Sequence, residues 1–105
     1  MKWALVLFGL TVFAFSQSYV PKTGYVPDSA TAIQIAQAVL VPVYGQKQIE
    51  SEKPFAAKLE RDVWTVTGTL HCANRSDGDS DCEGGTAEVR LSKKDARILS
   101  MIHYK

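Results

Sequence analysis

Pro54 to Leu70 reads PFAAKLERDVWTVTGTL, and within it the spacing of apolar side chains is that of extended chain. Phe55, Ala57 and Leu59 alternate with Ala56, Lys58 and Glu60, the period of two that sends successive side chains to opposite faces of a strand. Glu60-Arg61-Asp62 is a polar break that fits a tight turn. Val63 to Leu70 is rich in β-branched and aromatic residues, with Trp64, Val66 and Leu70 on one face and Thr65, Thr67 and Thr69 on the other. This predicts a hairpin of two half-buried antiparallel strands.

The pattern continues toward the C-terminus. Thr86 to Ser92 alternates again, with Ala87, Val89 and Leu91 inward and Glu88 and Arg90 outward. Lys93 to Ala96 is a polar turn, and Arg97 to Tyr104 completes a fourth strand. Toward the N-terminus the period becomes 3.6. Asp28 or Ser29 is placed to cap a helix, and Ala32, Ile33, Ile35, Ala36, Val39, Leu40, Val43 and Tyr44 share one half-turn, with Thr31, Gln34 and Gln37 outside it. Pro42 interrupts this helix on the side away from Leu40, and Gly45 stops it. Gln46 to Lys53 is polar and fits a short second helical turn at the surface. The order is a helix followed by a four-stranded antiparallel meander, an α+β domain with the helix on the concave apolar face of a curved sheet.

The chain has 105 residues, 46% of them hydrophobic and 22% charged, which is enough for one small domain. Its first residues, MKWALVLFGLTVFAFSQS, carry Lys2, an unbroken apolar run, and then Ala14-Phe15-Ser16 with small residues where a signal peptidase reads. The run is shorter than the roughly 20 apolar residues of a membrane span. Residues 1–16 are thus expected to be a cleaved secretory signal, the alternative being an uncleaved N-terminal anchor. Residues 17–26 read as an extended leader and residues 27–105 as the single domain. Export, to the periplasm or beyond, is the expected destination.

Without Lys2, the 12 basic residues fall into balance with the 11 acidic ones. A neutral domain without a basic stripe argues against nucleic acid as a partner, and against stable membrane association after signal cleavage.

His71 to Gly85, HCANRSDGDSDCEGG, is the most chemically suggestive stretch. Asp77, Asp79, Asp81 and Glu88 stand at positions 1, 3, 5 and 12 of a calcium-loop spacing. The turn glycine of that motif is replaced by Cys82, and Glu88 lies in a strand, so no calcium site is expected. His71 and Cys72 are adjacent in extended chain and face opposite ways, which argues against a shared zinc ion with Cys82 and His103, and against a Cys–His nucleophile. An exported chain with two cysteines most simply pairs them, so a Cys72–Cys82 disulfide is expected. Closing that ring would stabilise the fold by about 2.5 to 3 kcal/mol in the chain-entropy model. The aspartates then sit on the tip of a rigid hairpin.

No nucleophile elbow, phosphate loop, HExxH or CxxC is present. An acid/base site in the concavity would have to draw on Tyr25, Tyr44, Glu88 or His103, each of which also fits an ordinary structural role. No catalytic residue, cofactor or metal is expected.

YVPDSATAIQIAQAVLVPVYG, EKPFAAKLERDVWTVTGTL and GGTAEVRLSKKDARIL together resemble the bacterial immunity proteins of nuclear-transport-factor-two-like fold, found beside polymorphic toxin genes. The resemblance covers about Tyr25 to Lys105 and rests most on Pro42-Val43-Tyr44-Gly45, Lys53-Pro54-Phe55, Asp62-Val63-Trp64 and Gly84-Gly85 with Ala87-Glu88-Val89. It implies a cystatin-like cone and a non-catalytic binding protein whose partner is a cognate protein toxin. The sequence departs from the family pattern at Asp95-Ala96, where Asp-Gly is usual, which would strain the last hairpin if that turn needs positive φ. Asp77, Asp79, Asp81 and Glu83 are the candidate contact residues, since an acidic projection speeds encounter with a basic toxin. AEVRLSKKDARIL is also weakly similar to secreted peptidase inhibitors of helix-plus-sheet fold, the alternative expectation. A small-molecule binder using the concave pocket is a third, by fold analogy.

Overall fold

The computed structural model describes residues 16–71, 73–74, 80–81 and 84–105. The first helix, α1, spans Ser29–Tyr44. Asp28 caps it with extended backbone, and its carboxylate accepts the Thr31 amide at 2.8 Å and the Thr31 hydroxyl at 2.7 Å. Those two bonds hold the Asp28 carboxyl below its ordinary value. Gly45, at φ 94°, ends the helix and donates to the Val41 carbonyl at 2.8 Å. The buried stripe steps by four through Ala32, Ala36 and Leu40 to half-buried Tyr44. Val43, expected on that stripe, is off its rim and exposed. Pro42 lies in the last turn on the exposed side, and the helix runs past it to Tyr44.

A second helix, α2, follows at Gln46–Ser51. It is not the wholly superficial turn that its polarity suggested. Ile49 is buried in the core, and Glu52, one residue past the helix, is only 4% exposed.

The sheet is antiparallel with strand order β1-β2-β5-β6: β1 Ala56–Glu60, β2 Val63–Thr67, β5 Ala87–Ser92 and β6 Ile98–His103. This is the helix-then-meander α+β fold expected from the sequence. Between β2 and β5, the short strands β3 (Ala73–Asn74) and β4 (Ser80–Asp81) pair as a separate antiparallel ladder, Ala73 opposite Asp81 and Asn74 opposite Ser80. Glu60 faces Val63 across a two-residue turn in which Arg61 (φ 51°) and Asp62 (φ 60°) are both left-handed. That geometry matches the right-handed twist of the flanking strands. Leu70, expected to point inward, is exposed. The strand ends at Thr67, and the chain turns away as the Gly68 amide donates to the Ala87 carbonyl (3.1 Å) and the Thr69 amide to the Glu52 carbonyl (2.7 Å).

α1 packs on β1, β2 and β5. Leu40, Ile49, Leu91, Val26, Val66 and Val89 are fully buried between the layers; removing such a side chain from water stabilises the fold by roughly 1.5–3 kcal/mol. Trp64 donates its indole N–H to the Val26 carbonyl at 2.8 Å inside this core. The segment before α1 is tied down there. Its Tyr25 and Val26 amides donate to the Lys94 and Lys93 carbonyls at 3.0 Å. Gly24 lies so near Lys93 that a Cβ would stand 2.5 Å from its carbonyl oxygen.

Of the sequence expectations, the secretory signal up to Phe15, the Cys72–Cys82 pairing, and Asp77, Asp79 and Glu83 lie outside the described residues. Asp81 is placed by its backbone, in β4.

Candidate functional site

The most concentrated polar chemistry among the described residues is built around Glu52. Helical spacing puts Gln48 one turn before it, and the Gln48 side-chain amide donates to Glu52 Oε2 at 2.8 Å. Oε1 accepts the Ala87 amide at 2.7 Å. His103, at the end of β6, brings Nε2 to 2.8 Å from Oε2. One buried carboxylate thus joins the end of α2 to the start of β5 and the end of β6. Gly68 makes room for it, since a Cβ there would lie 2.8 Å from Glu52 Oε1 and 3.0 Å from its Cβ.

Burial pushes the Glu52 carboxyl upward, but the hydrogen bonds from Gln48, the Ala87 amide and His103, together with the charge of His103, outweigh it. The group is held below its ordinary value and stays ionised. The His103 ring nitrogens face two acceptors, Glu52 and, at 2.9 Å from Nδ1, the Tyr104 carbonyl. The Tyr44 ring lies beside it, with centroids 5.2 Å apart.

This cluster borders an open depression of about 700 Å³, lined also by Ser51, Thr69, His71, Gly85 and Tyr104. Its polar atoms are largely committed to the fold. Ser51 donates its hydroxyl to the Gln48 carbonyl at 2.6 Å, Thr69 donates to the Pro54 carbonyl at 2.6 Å, and His71 Nε2 lies 2.6 Å from the Lys53 carbonyl. Both oxygens of Glu52 accept hydrogen bonds, two on Oε2 and one on Oε1, so the carboxylate clamps elements together.

The structure brings together two of the four residues singled out for acid/base work, Tyr44 and His103. Glu88 is on the opposite face of the sheet, accepting from the Tyr104 hydroxyl at 3.2 Å, and Tyr25 donates its hydroxyl to the Tyr19 carbonyl at 2.7 Å. His71 and His103 border the same depression, and no group of three metal-binding side chains occurs among the described residues. Glu52 was missed by sequence reasoning. The available signal was its place three residues after Ile49, on the face that turns inward.

A helical layer over one face of a four-stranded antiparallel meander, with a polar clasp where helix and sheet meet, defines an α+β cone of nuclear-transport-factor-two type. The chain belongs to the family of NTF2 fold immunity proteins, whose sequence profile matches residues 31–105. It is also similar to the uncharacterized protein YhhH of Escherichia coli (strain K12), with 31% identity over 80 residues covering 76% of this chain. The chain spans 58% of the length of that curated relative. No solved structure matches it.

Proposed function

We propose that this protein is an exported immunity protein that protects its own cell by binding a cognate protein toxin and blocking it stoichiometrically, without chemistry of its own. The observation that carries this is membership of the immunity family over residues 31–105, nearly all of the folded domain. The commitment of the polar side chains around Glu52 to structural hydrogen bonds supports a binder over a catalyst.

Residues 1–16 act as a cleaved secretory signal in this account, which places the domain in the periplasm or outside the cell. The oxidising compartment permits the Cys72–Cys82 bridge. The register of β3 and β4 supports it, since Ala73 faces Asp81 and the next positions outward in sequence are the two cysteines. The loop they enclose, with Asp77, Asp79, Asp81 and Glu83, is the acidic surface that first meets a basic toxin.

Co-expression with its cognate toxin, sought in the adjacent reading frames, tests the function. The protein restores growth, and it does so only against that toxin. Growth arrest that persists despite soluble expression would contradict the proposal. The mass of the exported, unreduced protein checks the other two elements: it should begin at Gln17 and carry no free thiol.

A further inference from the structure

We infer that β6 is an open sheet edge that takes up an extended strand of the toxin, apolar at its centre and acidic at its ends. The inference rests on the immunity function proposed above and names the surface that performs it.

The strand order leaves β1 and β6 at the two edges of the sheet. They are built differently. β1 carries Lys58 and Glu60 within it and follows Pro54, and charges and proline along an edge discourage pairing with another chain. β6 reads ILSMIH, without proline, lysine or acidic residue, and Ile98, Leu99 and Ile102 are each more than a third exposed. Its hydrogen bonding alternates. The Tyr104 amide bonds to the Thr86 carbonyl, and Ile102 and Ser100 face Glu88 and Arg90, so these even-numbered positions spend their backbone groups on β5. The amides and carbonyls of Met101 and His103 therefore point to the outer edge, where no strand pairs among the described residues.

Charge selects the occupant. Arg97 precedes β6 and Lys105 follows it, so a cationic side chain stands at each end of the apolar run, that of Arg97 near the Asp95 carboxylate that accepts its amide at 3.0 Å. A second copy paired antiparallel about Met101 would set Arg97 against Lys105, and like charges directly opposite are unfavourable. A foreign strand with carboxylates at its ends makes the complementary match. Main-chain hydrogen bonds would supply affinity, and the exposed isoleucines and leucine would read alternate side chains.

The test uses the full mature protein and its cognate toxin, with affinities measured by calorimetry. Leu99→Lys and Ile102→Lys are expected to weaken binding by about tenfold or more, while Leu59→Lys, an equally exposed leucine on the other edge, leaves it unchanged. All three positions are exposed, and unchanged thermal melts would confirm that the variants fold. In the wild-type complex, hydrogen exchange at the Met101 and His103 amides is expected to slow, with no change along β1. Wild-type binding that Leu99→Lys and Ile102→Lys leave intact would overturn the inference while sparing the function, as would unaltered exchange at Met101 and His103. A dimer of the free protein that Leu99→Lys splits would make a second copy the occupant and overturn it too. A wild-type protein that does not bind the toxin at all would remove the immunity function, and this surface with it.

Discussion

Glu52 and His103 are 51 residues apart in sequence and meet at 2.8 Å, with the carboxylate only 4% exposed. The contact fastens the end of α2 to the last strand, and the Ala87 amide on Oε1 adds the start of β5 to the same knot. Removing the carboxylate would leave the Ala87 amide and the Gln48 and His103 donors to find new partners. Glu52→Ala is expected to destabilise the protein by about 2–3 kcal/mol, because buried donors left unpaired cost their desolvation. Urea denaturation with an unchanged slope would measure it.

The same carboxylate makes stability depend on pH. Burial raises its proton affinity, but the hydrogen bonds and the His103 charge lower it further, so the folded value lies below the ordinary 4.5. A group whose value is depressed on folding stabilises above its unfolded value, and that contribution is lost as pH falls through the folded one. The urea midpoint should therefore hold from neutral pH down to about the ordinary glutamate range and decline below it. Glu52→Gln should flatten that acid decline, and an identical decline in both proteins would contradict the assignment.

Gly68 is where β2 leaves the sheet, and its missing side chain accommodates the clasp. A methyl group there would stand 2.8 Å from Glu52 Oε1 and 3.1 Å from Phe55 Cε2. Gly68→Ala is expected to cost about 1–3 kcal/mol, by the overpacking of a filled core. If melting is unaffected, Glu52 is less firmly held than its contacts imply.

At the turn between β5 and β6, Ala96 adopts φ 64°, and its amide donates to the Ser92 carbonyl at 2.9 Å. The strain expected where this chain has Asp-Ala in place of Asp-Gly is therefore present. Ala96→Gly should stabilise the protein by about 1 kcal/mol, since glycine enters the left-handed region without steric cost. Thermal unfolding would show it as a rise of a few degrees.

Much of this architecture is written in local pattern. The 3.6-residue spacing around Leu40, the Asp28 cap, the Gly45 stop and the alternation around Trp64 and Val89 each specify an element through interactions a few residues long. What pattern could not show depends on distant partners. Nothing within Gln46–Lys53 indicates that Ala87 and His103 will satisfy Glu52, and so a buried carboxylate looked like a surface one. Leu70 was misplaced for a related reason: alternation continues through Gly68, while the chain itself is drawn aside by the bond from Thr69 to the Glu52 carbonyl. Val43 shows the limit of a helical wheel, which marks an apolar half-turn without showing how wide a stripe the sheet covers.

Neutralisation by binding is measured by titrating the activity of the purified toxin. With the cognate toxin held well above the dissociation constant, activity should fall linearly as the protein is added and reach its floor at one equivalent, with recovery when the complex is dissociated. Full activity in the presence of excess protein would contradict it. So would complete loss at a small fraction of an equivalent, since that would mean turnover on the toxin rather than occupancy.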